Sequence, residues 1–157
     1  MYEYRAKVVK VIDGDTADVD IDLGFDIILK KQRIRFMGMD TPESRTSDPI
    51  EKIYGNMAKD FVKKFLVVGQ YTTLRTFNDD RGKFGRVLGD FSVYDAEKDR
   101  YVALTKLMIE KNLGVVYHGQ SKDDIEEEHL KNREILKEQI INGTIPLGVP
   151  GGVTKFP

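Results

Sequence analysis

The chain has 157 residues and a formal net charge of −1, a size that fits one domain able to bury a core of its own. Apolar residues make up 40% and charged residues 32%, the balance of a folded soluble domain rather than a disordered one. With no cysteine and only 2 histidines, disulfides, zinc–thiolate sites, a thiol nucleophile and a three-histidine metal centre are excluded, and no apolar run approaches the roughly 18 residues of a membrane span.

The first hundred residues read mainly as strands. Tyr4–Ile12 is short and rich in valine, and Thr16–Leu23 alternates, with Val19, Ile21 and Leu23 on one side and Asp18, Asp20 and Asp22 on the other. That period of two marks a half-buried strand. Gly24 interrupts the pattern and Ile27–Met37 supplies a third strand; Gln70–Phe77 and Arg86–Tyr94 are two more, with Asn78–Gly82 expected as a turn between them. A first helix is expected over Asn56–Val68, where Met57, Phe61 and Phe65 recur at helical spacing and Gly69 stands at the end. A second is expected over Val102–Lys111, ended by Asn112, and a third over Asp123–Asn142, capped from Ser121, Asp123 and Asp124 and stopped by Gly143. Residues 146–157 hold three prolines and three glycines and read as an irregular tail after a domain spanning 1–145. The fold class is therefore α+β with a mainly β core: a five-stranded antiparallel Greek-key barrel of OB type with three helices.

Charge is unevenly spread. Residues 1–27 hold three basic and seven acidic groups, whereas residues 28–75 hold ten basic and five acidic. A site that binds both a cation and a polyanion needs such neighbours, although two unrelated solvated faces would look the same.

Three polar constellations interrupt the apolar strands. Asp13-Gly14-Asp15-Thr16 could be only a hairpin turn, and Arg35 followed by Asp40-Thr41-Pro42-Glu43 only a strand end running into a proline turn. Taken together they offer carboxylates and a guanidinium at strand ends, where a barrel can gather them in one mouth. The set fits phosphodiester hydrolysis. Asp15, Asp40 and a backbone carbonyl begin an all-oxygen shell suited to a hard cation such as Ca²⁺. Glu43 is the carboxylate left over to act as general base on water, and arginine matches phosphate oxygens in a bidentate fork. The third constellation, Asp80-Arg81-Gly82-Lys83-Phe84-Gly85-Arg86, adds a second arginine and a lysine. Asp18-x-Asp20-x-Asp22 imitates the start of an EF-hand, but the required glycine falls at Leu23 and the closing acid at Leu29, so these aspartates read as the wet face of a strand.

The order Val11-Ile12-Asp13-Gly14-Asp15-Thr16, then Arg35 with Asp40-Thr41-Pro42-Glu43, then Lys83-Phe84-Gly85-Arg86 resembles the thermonuclease family, the staphylococcal-nuclease-like domain; Glu51–Gly55 and Glu128-His129-Leu130 agree with it. The resemblance implies Ca²⁺-dependent hydrolysis of DNA and RNA with little sequence specificity, leaving 3′-phosphate ends, on single-stranded or locally melted substrate. It implies that Asp15, Asp40 and the Thr41 carbonyl hold Ca²⁺, that Asp13 supports them, that Glu43 is the base or orients the water, that Arg35 and Arg86 grip the scissile phosphate and that Lys83 helps hold the nucleotide end. The sequence departs from the family pattern at Phe84, where a tyrosine is usual, and at His118 and Gln120, where a tyrosine pair is usual; Tyr117 and His118 remain candidates to stack on a base. The alternative is a nucleic-acid-binding OB module with weakened catalysis. A monomer is expected, with no membrane contact. Met1–Tyr4 begins no secretion signal, which leaves a cytoplasmic, phage-encoded or trimmed secreted form.

Overall fold

The computed structural model describes residues 1–81 and 85–143, without the side chains of residues 78–81. Lys83, Phe84 and the Gly/Pro-rich segment 146–157 lie outside the described residues.

β1 (Tyr2–Asp13) and β2 (Thr16–Asp22) form a hairpin, and β3 (Ile28–Phe36) continues it antiparallel to β2. The alternation in β2 takes the expected sense: Ala17, Val19 and Ile21 are buried while Asp18, Asp20 and Asp22 face outward. Those aspartates are spent on the sheet surface. Asp18 pairs with Arg33, Asp20 accepts from the Lys31 backbone and Asp22 from the Gly24 backbone. Leu23, read as inward-facing, lies beyond the end of β2 and is exposed.

β5 (Tyr71–Arg81) pairs with both β1 and β6 (Val87–Asp95). The ring closes where Ile34, Arg35 and Phe36 run parallel to Val87, Leu88 and Gly89. Five strands thus enclose a core of Val8, Val19, Ile34, Phe36, Leu74 and Phe91, with the Phe36 and Phe91 rings edge to face at 5.3 Å. This is the expected OB-type barrel with three helices; its closing pair is parallel while the other four ladders are antiparallel. β4 (Met39–Asp40) and β8 (Val115–Val116) form a separate two-stranded sheet, and β7 (Arg100–Ala103) adds to the outer edge of β6.

Boundaries depart from the sequence reading at three places. Helix α1 runs Pro49–Phe65 rather than starting at Asn56, because Asp48 caps it by accepting from the Ile50 and Glu51 N–H groups while Pro49 opens its first turn. Val102 lies in β7, paired with Val93 of β6, so α2 is shorter, Leu104–Glu110. Asn78–Arg81 belong to β5 instead of a turn, since pairing with β6 extends to Arg81 opposite Val87. Helix α3 spans Lys122–Ile141, with Ser121 capping Asp124, as expected. None of the described helices is long and apolar enough to cross a membrane.

α2 has no cap from its own N-cap residue, Ala103. Asp90 of β6 supplies one instead, accepting from the Thr105 N–H and the Thr105 hydroxyl as well as from its neighbour's Phe91 N–H. The helix is thereby fastened to the barrel wall by a buried carboxylate.

Candidate active site

The β1–β2 turn, the end of β3 and β4 converge on one guanidinium. Asp13 pairs with Thr16, which leaves Gly14 and Asp15 to make the turn. The Phe36 N–H donates to the Asp15 carbonyl at 2.8 Å and ties that turn to the end of β3. Arg35, on β3, is 16% exposed at its side chain. Its Nη1 donates to the carbonyls of Met39 (2.8 Å) and Phe36 (3.1 Å) and lies 3.3 Å from Asp15 Oδ2. Its Nη2 lies 3.3 Å from Asp40 Oδ1. The carbonyl contacts hold the guanidinium in addition to the two carboxylates.

Asp15 receives two further hydrogen bonds, from the Thr16 hydroxyl (2.9 Å) and the Thr41 N–H (3.3 Å). Burial pushes its pKa above the ordinary carboxylate value; Arg35 opposes that shift, and the like charge of Asp40 adds to it. The ligands that the sequence reading named for a cation are all oxygen, namely the Asp15 and Asp40 carboxylates and the Thr41 carbonyl, and the structure brings both carboxylates to Arg35 and the Thr41 N–H to Asp15. Thr41 is buried, and its Oγ1 finds no partner among the described residues. Such a set suits a hard divalent cation, whose charge would relieve the repulsion between Asp15 and Asp40. Among the described residues no group of three or more His, Asp or Glu side chains forms a metal cluster, so a cation here would rest on two carboxylates, the Thr41 carbonyl and water.

Glu43 is exposed, and its backbone is held from both sides. Asp13 Oδ1 accepts from the Ser44 N–H (3.2 Å) and from the Gly14 N–H (3.1 Å), linking the β1–β2 turn to the loop that carries Glu43. Asp13 therefore acts on the loop of the base candidate. Helix α1 presses on the same loop, since a Cβ at Gly55 would fall 2.3 Å from the Glu43 carbonyl oxygen. At Gly14 a Cβ would fall 2.7 Å from Ala58 Cβ and 2.9 Å from Thr41 Oγ1. Both glycines are required by close approach of chain to chain.

Arg86 lies in a cleft of about 280 Å³ with Ile12, Asp13, Thr16, Arg33 and Arg45. That cleft meets the Asp13–Thr16 turn at Asp13 and Thr16, but Asp15, Arg35, Asp40 and Glu43 are not in its lining. Arg45, passed over in the sequence, joins Arg86 and Arg33 there, with Asp13 in the same lining and Arg33 paired to Asp18. Tyr117 and His118 follow β8, whose Val115 is paired with Asp40, and both are exposed. The Tyr117 N–H donates to the Gly38 carbonyl. Gln120 closes the loop on itself: its Oε1 accepts from the His118 N–H (2.8 Å) and its Nε2 donates to the Val116 carbonyl (2.6 Å).

His129 was not singled out for the site from sequence. Its Nε2 lies 2.8 Å from Asp40 Oδ2, and its side chain is 11% exposed. The only available signal was its place in Glu128-His129-Leu130, which does not say what the ring faces.

The profile of the family described as Staphylococcal nuclease homologue matches residues 33–139, so the Asp13–Thr16 turn precedes the matched segment. The thermonuclease of Staphylococcus hyicus is 38% identical over 87 residues, 55% of this chain and 47% of its own length. The thermonuclease of Staphylococcus intermedius is 39% identical over 82 residues, 52% of this chain and 44% of its own length. An uncharacterized endonuclease of Escherichia coli is 29% identical over 123 residues, 78% of this chain and 67% of its own length. The matched region spans about half the length of the two thermonucleases.

Proposed function

The chain belongs to the staphylococcal nuclease homologue family, and from that premise we propose that it is a Ca²⁺-dependent nuclease, hydrolysing DNA and RNA phosphodiesters with little sequence preference and leaving 3′-phosphate ends. The observation that carries the reading is the Arg35 guanidinium within 3.3 Å of both Asp15 and Asp40, where the β1–β2 turn meets β3 and β4. A phosphate-seeking donor and two cation-seeking carboxylates in one place is the combination that cation-assisted phosphodiester hydrolysis uses and that a merely structural ion pair does not need.

Asp15, Asp40 and the Thr41 carbonyl would hold the ion, which when bound polarises a phosphoryl oxygen. Glu43, exposed on the loop that follows Asp40 and Thr41, takes the proton of the attacking water. Arg35, its orientation fixed by the Met39 and Phe36 carbonyls, donates to the oxygens on which charge builds, and Arg86 supplies further donors from the cleft side. Asp13 holds the Glu43 loop through Ser44. By the resemblance, Lys83 and Phe84 serve to bind the nucleotide end, and Tyr117 and His118 offer rings to the base. Phosphate contacts rather than base-edge contacts dominate this list, which is why cleavage is indifferent to sequence and falls with salt.

The test is hydrolysis of single-stranded DNA with Ca²⁺, with Mg²⁺ and with excess chelator, followed by end-group analysis. Ca²⁺-supported cleavage with 3′-phosphate products is the expected result. Undiminished cleavage in chelator, or tight binding without cleavage, would refute it.

A further inference from the structure

Asp40 is contacted from two directions, and the second contact comes from 89 residues away in the chain. Arg35 Nη2 meets Oδ1 at 3.3 Å, whereas His129 Nε2 meets Oδ2 at the shorter distance of 2.8 Å. Arginine and carboxylate favour a two-pronged fork when nothing prevents it. Here Arg35 engages only one Asp40 oxygen, with its other terminal nitrogen on Asp15 and on two carbonyls.

We propose that His129 is a positioning residue that holds the outer oxygen of Asp40 and so keeps this carboxylate from folding onto Arg35. The proposal rests on the cation-dependent reading above and deepens it. A fork between Asp40 and Arg35 would do double damage. It would turn Asp40 lone pairs away from a cation, and it would take a further Arg35 N–H beyond those already spent on the Met39 and Phe36 carbonyls and on Oδ1. By donating to Oδ2, the ring keeps Asp40 lone pairs available to the ion and leaves the remaining Arg35 N–H groups for phosphate.

The rest of α3 holds the ring in register. Asn132 Nδ2 donates to the Gly114 carbonyl at 3.3 Å, next to β8, and Arg133 lies over the Tyr54 ring of α1 at 5.7 Å. Leu136 is buried in the core beyond them. Residues 129, 132, 133 and 136 share one helix face, so this face of α3 is fixed at three points besides the imidazole. The contact at His129 is thus a rigid prop and not a flexible surface pair. Partners placed just outside a metal's own ligands typically change metal affinity by about 10–100-fold.

Two substitutions separate positioning from packing. His129→Gln retains an N–H donor on a side chain of similar reach; His129→Phe retains the volume and removes the donor. Ca²⁺ affinity is measured by titration calorimetry alongside cleavage, with circular dichroism to establish folding. The expected result is Ca²⁺ affinity about 10–100-fold weaker for the Phe variant and within threefold of wild type for the Gln variant. A folded Phe variant that binds like wild type, or a folded Gln variant as weak as the Phe variant, overturns the proposal. If the Phe variant does not fold, imidazole ¹⁵N spectra of the wild type decide: the hydrogen-bonded Nε2–H signal must persist when Ca²⁺ is added, and its loss overturns the proposal. A wild-type chain that neither binds Ca²⁺ nor cleaves refutes the nuclease reading as well; one that does both, with the Phe variant unaffected, refutes this proposal alone.

Discussion

Gly55 and Glu43 are in backbone contact: a Cβ on the glycine would stand 2.3 Å from the Glu43 carbonyl oxygen and 2.6 Å from the Ser44 nitrogen. Helix α1 therefore sets the position of the loop that presents the base candidate, and it does so through the absence of a side chain. Gly55→Ala must push loop and helix apart. Misplacement by about 1 Å costs on the order of 10²-fold in rate, and overpacking costs about 1–3 kcal/mol in stability. Steady-state cleavage and urea melts on the same preparation check both, with kcat expected to fall much further than stability alone explains.

Glu43→Gln removes the proton acceptor without changing shape. A loss of about 10²–10⁴-fold in kcat is expected, with the melting curve unchanged because Glu43 is exposed. Arg86→Ala is expected to lose about 10²–10³-fold. A loss under threefold in either would contradict the assigned role.

Salt offers a test that needs no variant. Affinity for single-stranded DNA should fall linearly on a log–log plot of binding against salt, with a slope near −0.7 per phosphate contact. Removing Arg45, which shares the cleft with Arg86, should lower the magnitude of that slope by one contact's worth.

Asp90 predicts a pH dependence of stability. Burial raises its pKa above the ordinary aspartate value, and the hydrogen bonds from Thr105 and Phe91 pull against that shift. A carboxyl whose folded-state pKa lies above its unfolded value contributes its stability fully below the unfolded pKa, and that contribution is lost as pH rises through the folded one. Asp90→Asn keeps the shape and removes the charge, so the stability of wild type relative to this variant should fall between acid and neutral pH. Urea melts at pH 3.5 and pH 7 measure the difference. Thr105→Val, which strips the hydroxyl from a buried carboxylate oxygen, should cost about 1–3 kcal/mol near neutrality.

Asp48 caps α1 with two hydrogen bonds. Asp48→Ala should cost about 1 kcal/mol, read as a lower melting midpoint. Since α1 carries Gly55, part of the loss should also appear as weaker cleavage.

By itself the sequence determined what local periodicity and local chemistry determine. The alternation of β2 placed Ala17, Val19 and Ile21 inside and three aspartates outside. Ser121 and Gly143 bracketed α3, and residue types in order along the chain singled out Asp15, Arg35, Asp40 and Glu43 as candidates, of which the fold brings Arg35 to both Asp15 and Asp40. The start of α1 was legible too, in Asp48-Pro49, but the apolar stripe beginning at Met57 gave a stronger signal further along. What required the tertiary structure were relations between residues distant in the chain: β7 and β8, whose two to four residues are strands only because β6 and β4 pair with them; Asp90 capping a helix that begins fourteen residues later; and His129 against Asp40. A helical or strand period reports which way a side chain points from its own element. Which group it meets there depends on how the elements pack, and that packing is a property of the whole chain.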